Sequence, residues 1–269
     1  MAFEKPYIYV VGEAHLTNTM LDITHALMIK SLQNVGSSVN FLLDSFRKVL
    51  GESKTANLIE LSKTITLAAF DQMMLQANDI LIEECRIAKS VDPDIILLER
   101  PEEEGAICEQ FNNREISAEK LVDSLYGINA ALNALKNYGV FLQDALGGSV
   151  ERLEALVKTL KNYHIGLANM FSRRDDLLVH AIDIPNREKR MRSLDENGRA
   201  TLDREREGYM AMRADEIANA EEPQVMLIIV GRAHQGNVEG LLKEDFSYGE
   251  DHIIDMPLDL GSFEAVELD

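Results

Sequence analysis

The pattern Val-Gly-x-Ala-His occurs twice in this chain of 269 residues, once near each end. The copies span residues 11–15 and 230–234. Each copy follows a continuous apolar run that predicts a buried strand, and each precedes a helical pattern. Glycine after a strand permits a sharp exit of the chain. Ligands and catalytic groups in open α/β sheets gather beyond the carboxyl ends of the strands, so the two copies predict one site built from both ends of the chain.

Apolar runs separated by long stretches of helical periodicity predict the fold class. Four runs predict buried strands and a weaker fifth strand is predicted near the carboxyl terminus: Tyr7–Val11, Asp94–Leu98, Leu177–Ile182, Val225–Val230 and His252–Asp255. Strands that alternate with helices are typical of the α/β class. We therefore predict a central mixed sheet of few buried strands flanked by many long helices, with the site at the strand ends between the two histidine motifs.

The length of the chain fits one domain with sizeable insertions. Helical blocks at about 36–91 and 105–176 are longer than simple crossovers between strands require. We predict a single α/β domain over residues 1–269 that carries these two helical insertions. The insertions form either a lid over the site or ordinary packing layers.

Charge and composition exclude several classes of partner. The formal net charge is −19, so nucleic acid and anionic lipid would be repelled. The two cysteines, Cys85 and Cys108, form no CxxC pair, and no apolar run reaches the roughly 18 residues of a membrane span. We expect a cytoplasmic protein without membrane contact that binds a small-molecule or peptide substrate.

Each copy of the repeated pattern combines a histidine with a charged residue two positions earlier. The pairs are Glu13 with His15 and Arg232 with His234. In an extended segment, residues two apart project to the same side. Histidine is the side chain that titrates closest to neutral pH, and it is the commonest metal ligand. A lone histidine at a strand end is more often structural, but the repeated context favours a functional role for this pair.

Two further acidic residues end predicted strands. Glu99 follows four apolar residues, and burying its carboxylate without a partner would be costly. It therefore needs a metal, hydrogen-bond donors or an arginine, such as Arg100. Asp183 ends the third run and is expected to orient a histidine or, more simply, to cap the next helix.

A predicted helix before the last strand carries Arg206 and Arg213. The two residues are seven positions apart and therefore share a helical face. An arginine there can bind a carboxylate or stabilise an oxyanion. The alternative is a solvated helix with Glu–Arg pairs.

Together, the motifs resemble those of the TraB/PrgY and Tiki superfamily, which has erythromycin esterases and ChaN-type haem-binding lipoproteins as more distant relatives. That superfamily is characterised by two GxxH motifs, a glutamate after the second core strand and an arginine on the helix before the last GxxH strand. Four segments carry the resemblance in the same order: 12–17, 93–99, 205–211 and 230–234. Glu13 makes the first motif Gly-Glu-x-His, the form similar to that of the esterase and ChaN branches. Where the family often has an arginine after the aspartate, Asp183 is followed by Ile184-Pro185, and the nearest arginine in sequence is Arg187.

The resemblance implies a hydrolase of ester, lactone or peptide bonds. His15 or His234 would activate water, either directly or through a divalent metal such as manganese, zinc or cobalt. The metal ligands would be His15, Glu99 and His234, a set of imidazoles and a carboxylate that suits such ions. Glu13 would assist His15 or complete the metal shell, and Arg206 would stabilise developing negative charge. The alternative is a non-catalytic protein that binds haem or a peptide, since ChaN-like relatives bind haem.

Overall fold

The apolar runs form the five strands of a single sheet. The computed structural model describes residues 5–13, 22–23, 25–27, 29–30, 44, 47–48, 52–64, 66–145, 147–191 and 194–256. The strands are β1 (Tyr7–Glu13), β2 (Ile95–Pro101), β3 (Leu178–Asp183), β4 (Val225–Gly231) and β5 (Ile253–Met256). Nearly all of β4 and the first five residues of β2 are buried, because both strands lie inside the sheet.

The strand order is β3-β2-β4-β1-β5, and every pairing among these strands is parallel. The predicted α/β fold is confirmed, but the predicted mixed sheet is wrong. Each connection between consecutive strands contains at least one helix. A helical crossover returns the chain to the edge of the sheet from which the next strand can run in the same direction.

Nine α-helices whose bounds the structure gives lie between these strands, and a short 3-10 helix, Glu102–Glu104, follows β2. The α-helices are α1 (Glu52–Thr64), α2 (Leu67–Val91), α3 (Gly105–Asn112), α4 (Ala118–Tyr126), α5 (Ile128–Ala145), α6 (Val150–Phe171), α7 (Arg187–Met191), α8 (Glu196–Glu221) and α9 (Arg232–Glu244). Helices α4 and α5 are separated by Gly127, which has a φ of +65° that most other residues avoid. None of the described helices has the length and apolar character required to cross a membrane.

The chain divides into two compact units. The first consists of Met1–Ala14, Ile82–Leu125 and Leu167–Asp259 and contains the whole sheet. The second consists of His15–Leu81, Tyr126–Gly166 and Leu260–Asp269, and its described residues are mostly helical. Within the second unit, Arg152 on α6 binds both carboxylate oxygens of Asp71 on α2, at 2.8 and 2.7 Å. The prediction of one domain with two helical insertions stays a prediction.

Helix α8 is held against the sheet of the first unit by small and apolar side chains. Its buried residues include Met210, Ala211, Ala214 and Ala218, which belong to one core cluster with residues of β1, β2 and β4. Small side chains allow a close approach of helix and sheet. The helix begins at its N-cap Asp195, whose carboxylate accepts from the Gly198 N–H at 2.8 Å. Since α8 ends shortly before β4 begins, its amino-terminal half lies towards the carboxyl ends of the strands.

Candidate functional site

Three neighbouring strands place polar groups side by side at the carboxyl edge of the sheet. Glu99 lies in β2, Asp183 ends β3 and Gly231 ends β4. The pairing of β2 with β3 shifts register between Leu98 and Pro101, an irregularity of the kind that is common next to active sites. Glu99 is 7% exposed, Asp183 is fully buried, and the Gly231 N–H donates to Oε2 of Glu99. Two carboxylates are thus buried at adjacent strand ends.

The guanidinium of Arg206 joins these carboxylates to a histidine. Its Nε–H donates to Asp183 at 3.1 Å, and Nη2 donates to Asp183 at 3.0 Å and to Oε1 of Glu99. Its Nη1 donates to Asp203 at 3.1 Å and lies 3.2 Å from Nε2 of His234. All five N–H donors of this guanidinium therefore have protein partners.

Arg206 is buried in its charged form, and neighbouring carboxylates stabilise that charge. The residue is 4% exposed. Burial acts to lower the pKa of Arg206, but the hydrogen bonds and charge of Asp183 and the charge of Glu99 hold that pKa above its ordinary value. The ion pair expected as the structural alternative for Glu99 is therefore present, with Arg206 as the arginine. Arg100 instead lies 3.9 Å from Glu104.

His234 is held between an arginine and a glutamate. Its Nδ1 lies 2.8 Å from Oε1 of Glu207, and its Nε2 faces Nη1 of Arg206. A guanidinium can only donate, so Nε2 accepts and the ring proton resides on Nδ1, which donates to Glu207. Nε2 also lies 4.0 Å from Oε1 of Glu99. This arrangement fixes both the orientation and the tautomer of the imidazole.

The prediction that Arg232 and His234 project to the same side is wrong. Helix α9 begins at Arg232, directly after β4, so the two residues are helical rather than extended. Residues two apart on a helix point in different directions, and here Arg232 is exposed while His234 is 9% exposed. The glycine of the first motif also differs from expectation, because Gly12 lies within β1 and a side chain there would collide with Gln235.

Arg187 is a second cation at the two strand-end carboxylates. Its Nη1 donates to Oδ2 of Asp183 at 3.0 Å and lies 3.5 Å from Oε1 of Glu99. The remaining partners of Asp183 are Arg206 and the N–H of Ile184. The prediction that Asp183 caps a helix or orients a histidine is wrong, because its carboxylate is occupied by two arginines and the following amide. Arg187 supplies a charge that the sequence does not place directly after Asp183.

The structure brings together three of the five predicted site residues. Glu99, Arg206 and His234 are in mutual contact within the first unit. The backbone of Glu13 pairs with Gly231 in register, so the first motif enters the same edge of the sheet. The side chain of Glu13, and His15 altogether, lie outside the described residues, so their predicted roles stay predictions.

Sequence reasoning missed Glu207, Asp203 and Arg187 as members of this cluster. Asp203 and Glu207 lie one helical turn apart on α8 and flank Arg206, but this part of the helix was also compatible with solvated Glu–Arg pairs. The buried residues Met210 and Ala211 repeat the spacing of 206 and 207 one turn later. That repeat is the signal that would have placed Glu207 on the buried face.

Two of the three predicted metal ligands, Glu99 and His234, are already engaged by protein partners. Both nitrogens of His234 are engaged, and both oxygens of Glu99 accept hydrogen bonds. The guanidinium of Arg206 contacts both side chains, and it would repel a second cation there. No group of three possible ligands that could hold a metal is found within the described ranges. Because His15 lies outside them, the predicted metal site stays a prediction.

The resemblance to TraB/PrgY and Tiki proteins is supported by the four motif segments alone. No family model, no curated protein and no solved structure matches this chain. These four segments therefore support a proposed function and do not establish a family.

Proposed function

We propose that the protein is a hydrolase of ester, lactone or peptide bonds in which His234, oriented by Glu207, activates water without a metal. The observation that carries the proposal is the buried chain of contacts from Glu207 through His234 and Arg206 to Glu99. A carboxylate on Nδ1 of an imidazole is the arrangement that prepares Nε2 to accept a proton. The resemblance to TraB/PrgY and Tiki proteins supports the same class of reaction.

The energetic cost of this cluster favours function over a purely structural role. Glu99, Asp183, Arg206, Glu207 and His234 are each at most 9% exposed. Buried ion pairs often add no more stability than well-packed apolar side chains would. Groups of this kind that gather at the carboxyl edge of a parallel sheet are typical of active sites.

The proposed hydrolysis requires Nη1 of Arg206 to move away from Nε2 of His234, and water is the only co-reactant. A water molecule replaces Nη1 of Arg206 at Nε2 of His234 and transfers a proton to it. The water oxygen then attacks the substrate carbonyl carbon, and the carbonyl electron pair moves onto oxygen. Glu207 stabilises the imidazolium that forms. Return of that proton to the leaving group, as the scissile bond breaks, regenerates the neutral imidazole. His15 is the second candidate for the base, because it occupies the equivalent motif.

A substrate panel tests the proposal. Purified wild type, His15→Ala and His234→Ala are assayed against activated esters, lactones and peptides, with Arg213→Ala as the matched surface control. Within the described part of the chain, Arg213 forms an ion pair with neighbouring Glu216 and its side chain is partly exposed. We expect hydrolysis by wild type and the control, and its loss in His234→Ala. Loss in His15→Ala alone would assign the base to His15 instead.

The competing proposal of a haem- or peptide-binding protein gives a different outcome. A wild-type protein that hydrolyses no member of the panel, yet shows a Soret band after addition of haem, would contradict the hydrolase proposal. Haem binding requires an axial ligand within an apolar cleft. The imidazole nitrogens of His234 are both engaged by other side chains, so we expect no Soret band that depends on His234.

A further inference from the structure

We infer that Arg187, rather than Arg206, binds the negative oxygen that develops on the substrate. This inference rests on the proposed function and assigns its oxyanion-binding residue. It differs from the sequence-based expectation, which gives that role to Arg206. The reason is that, among the described residues, Arg187 has unpaired N–H donors that can bind a substrate, whereas the N–H donors of Arg206 are paired with protein groups.

Before any substrate or water enters, every N–H donor of Arg206 is already paired. Its five N–H groups are bonded to Asp183, Asp203, Glu99 and His234, and its side chain is 5% exposed. A substrate oxygen that bound Arg206 would have to displace one of these partners. Displacing Glu99 or Asp183 would leave a buried carboxylate short of a charge partner, which is costly. The exchange of Nη1 for water at Nε2 of His234 frees a single N–H of Arg206, but Nε and Nη2 stay bonded to the carboxylates, so no pair of adjacent donors becomes available.

Arg187 presents an unused edge. Only its Nη1 contacts the cluster, through Asp183 and Glu99. Its Nε and Nη2 have no partner within the described part of the chain, and its side chain is 25% exposed. These two N–H groups form the side of a guanidinium that binds paired oxygens in a bidentate manner. One edge of Arg187 is thus anchored and the other remains available.

The position of Arg187 suits the proposed base. Nη1 of Arg187 and Nε2 of His234 approach the same atom, Oε1 of Glu99, at 3.5 and 4.0 Å. Arg187 and His234 are therefore neighbours around one carboxylate oxygen, and the inference places the substrate carbonyl between His234 and the free edge of Arg187. The tetrahedral intermediate carries an oxyanion beside a second oxygen, and the paired N–H groups can donate to both.

A binding experiment tests the inference without requiring turnover. Methylphosphonate is a tetrahedral anion with paired oxygens and serves as the probe. It is titrated into wild type, Arg187→Ala, Arg187→Lys and the control Arg213→Ala, while the arginine Nε–H resonances are followed by NMR. We expect the Arg187 resonance to shift on saturable binding and the Arg206 resonance to move little. The dissociation constant should rise tenfold or more in Arg187→Ala, and Arg187→Lys should also be weakened, because lysine keeps the charge but lacks the planar fork.

Two results would overturn the inference: no saturable binding by wild type, or equal affinity of wild type and Arg187→Ala. Urea unfolding of each variant confirms that a loss of binding is not a loss of fold. A kinetic comparison then separates this inference from the proposed function. With any substrate that wild type hydrolyses, Arg187→Ala should lower kcat by roughly a hundredfold or more. Hydrolysis that is unchanged in Arg187→Ala would refute the role of Arg187 while leaving the hydrolase proposal intact.

Discussion

The Nδ1–H of His234 donates to Oε1 of Glu207 at 2.8 Å, and both side chains are buried. His234 lies in the first turn of α9, and Glu207 lies in α8, the helix that precedes β4. Two separate elements therefore fix one tautomer of the imidazole. This pair connects the fold to the proposed chemistry, since Nε2 is the only ring nitrogen that remains an acceptor.

Glu207→Gln is predicted to lower kcat by roughly a hundredfold or more, the scale of general-base catalysis. The amide can still accept from Nδ1–H, but it carries no charge to stabilise the imidazolium. The measurement is kcat and KM on the best substrate from the panel. Glu205→Gln is the matched control, because Glu205 is exposed and pairs with Arg190 away from the histidine. Equal losses in both variants would argue against a specific role for Glu207.

Arg206→Ala is predicted to lower the free energy of unfolding by about 3–5 kcal/mol, the cost of leaving buried carboxylates without a cation. Among the described residues, Arg187 would then be the cation that remains beside Glu99 and Asp183. Arg213→Ala should stay within about 0.5 kcal/mol of wild type, as surface substitutions usually do. Urea titration at one pH and ionic strength measures both. If the two variants unfold at the same midpoint, Arg206 is not the electrostatic centre of the cluster.

His180 is predicted to make the fold sensitive to acid. Burial lowers the pKa of His180; Glu221 opposes this shift and Arg213 adds to it. Its Nε2 is buried and has no hydrogen-bond partner among the described residues. The folded pKa lies below the unfolded value of about 6.5, so the unfolded chain takes up the proton first. The stabilisation is complete above about pH 6.5 and is lost as the pH falls towards the folded pKa.

His180→Phe should therefore lose less stability than wild type when the pH is lowered from 7.5 to 5.0. Urea midpoints at the two pH values give the comparison, because other titrating groups contribute equally to both proteins. A variant whose midpoint falls as much as that of wild type would show that His180 does not titrate differently on folding.

The sheet was predictable from the sequence because both-sided burial leaves continuous apolar runs. The ends of the five strands were predicted to within three residues, and Glu99 and His234 were identified by their position just beyond such runs. The relative direction of the strands was not predictable, because apolar runs look alike in parallel and mixed sheets. The partners of His234 and Asp183 were also not predictable, because Glu207 and Arg187 reach the site only through the tertiary placement of α7 and α8.

The two glycine motifs show the same limit. Their identical letters predicted identical geometry, yet the second motif turns into α9 at Arg232 while β1 extends to Glu13. The repeated motif therefore predicted that each copy lies at the end of a strand, but it did not predict the local backbone conformation or the side-chain directions that follow from it.

The most direct test of the metal-free mechanism is hydrolysis after removal of metal. Wild type, Glu207→Gln and His234→Ala are treated with a chelator, exchanged into metal-free buffer and assayed on the substrate panel. We predict that chelated wild type keeps its full kcat, while both variants lose it by roughly a hundredfold or more. Loss of wild-type activity on chelation, with recovery on addition of manganese, zinc or cobalt, would contradict the metal-free mechanism and restore the metal site predicted at His15, Glu99 and His234.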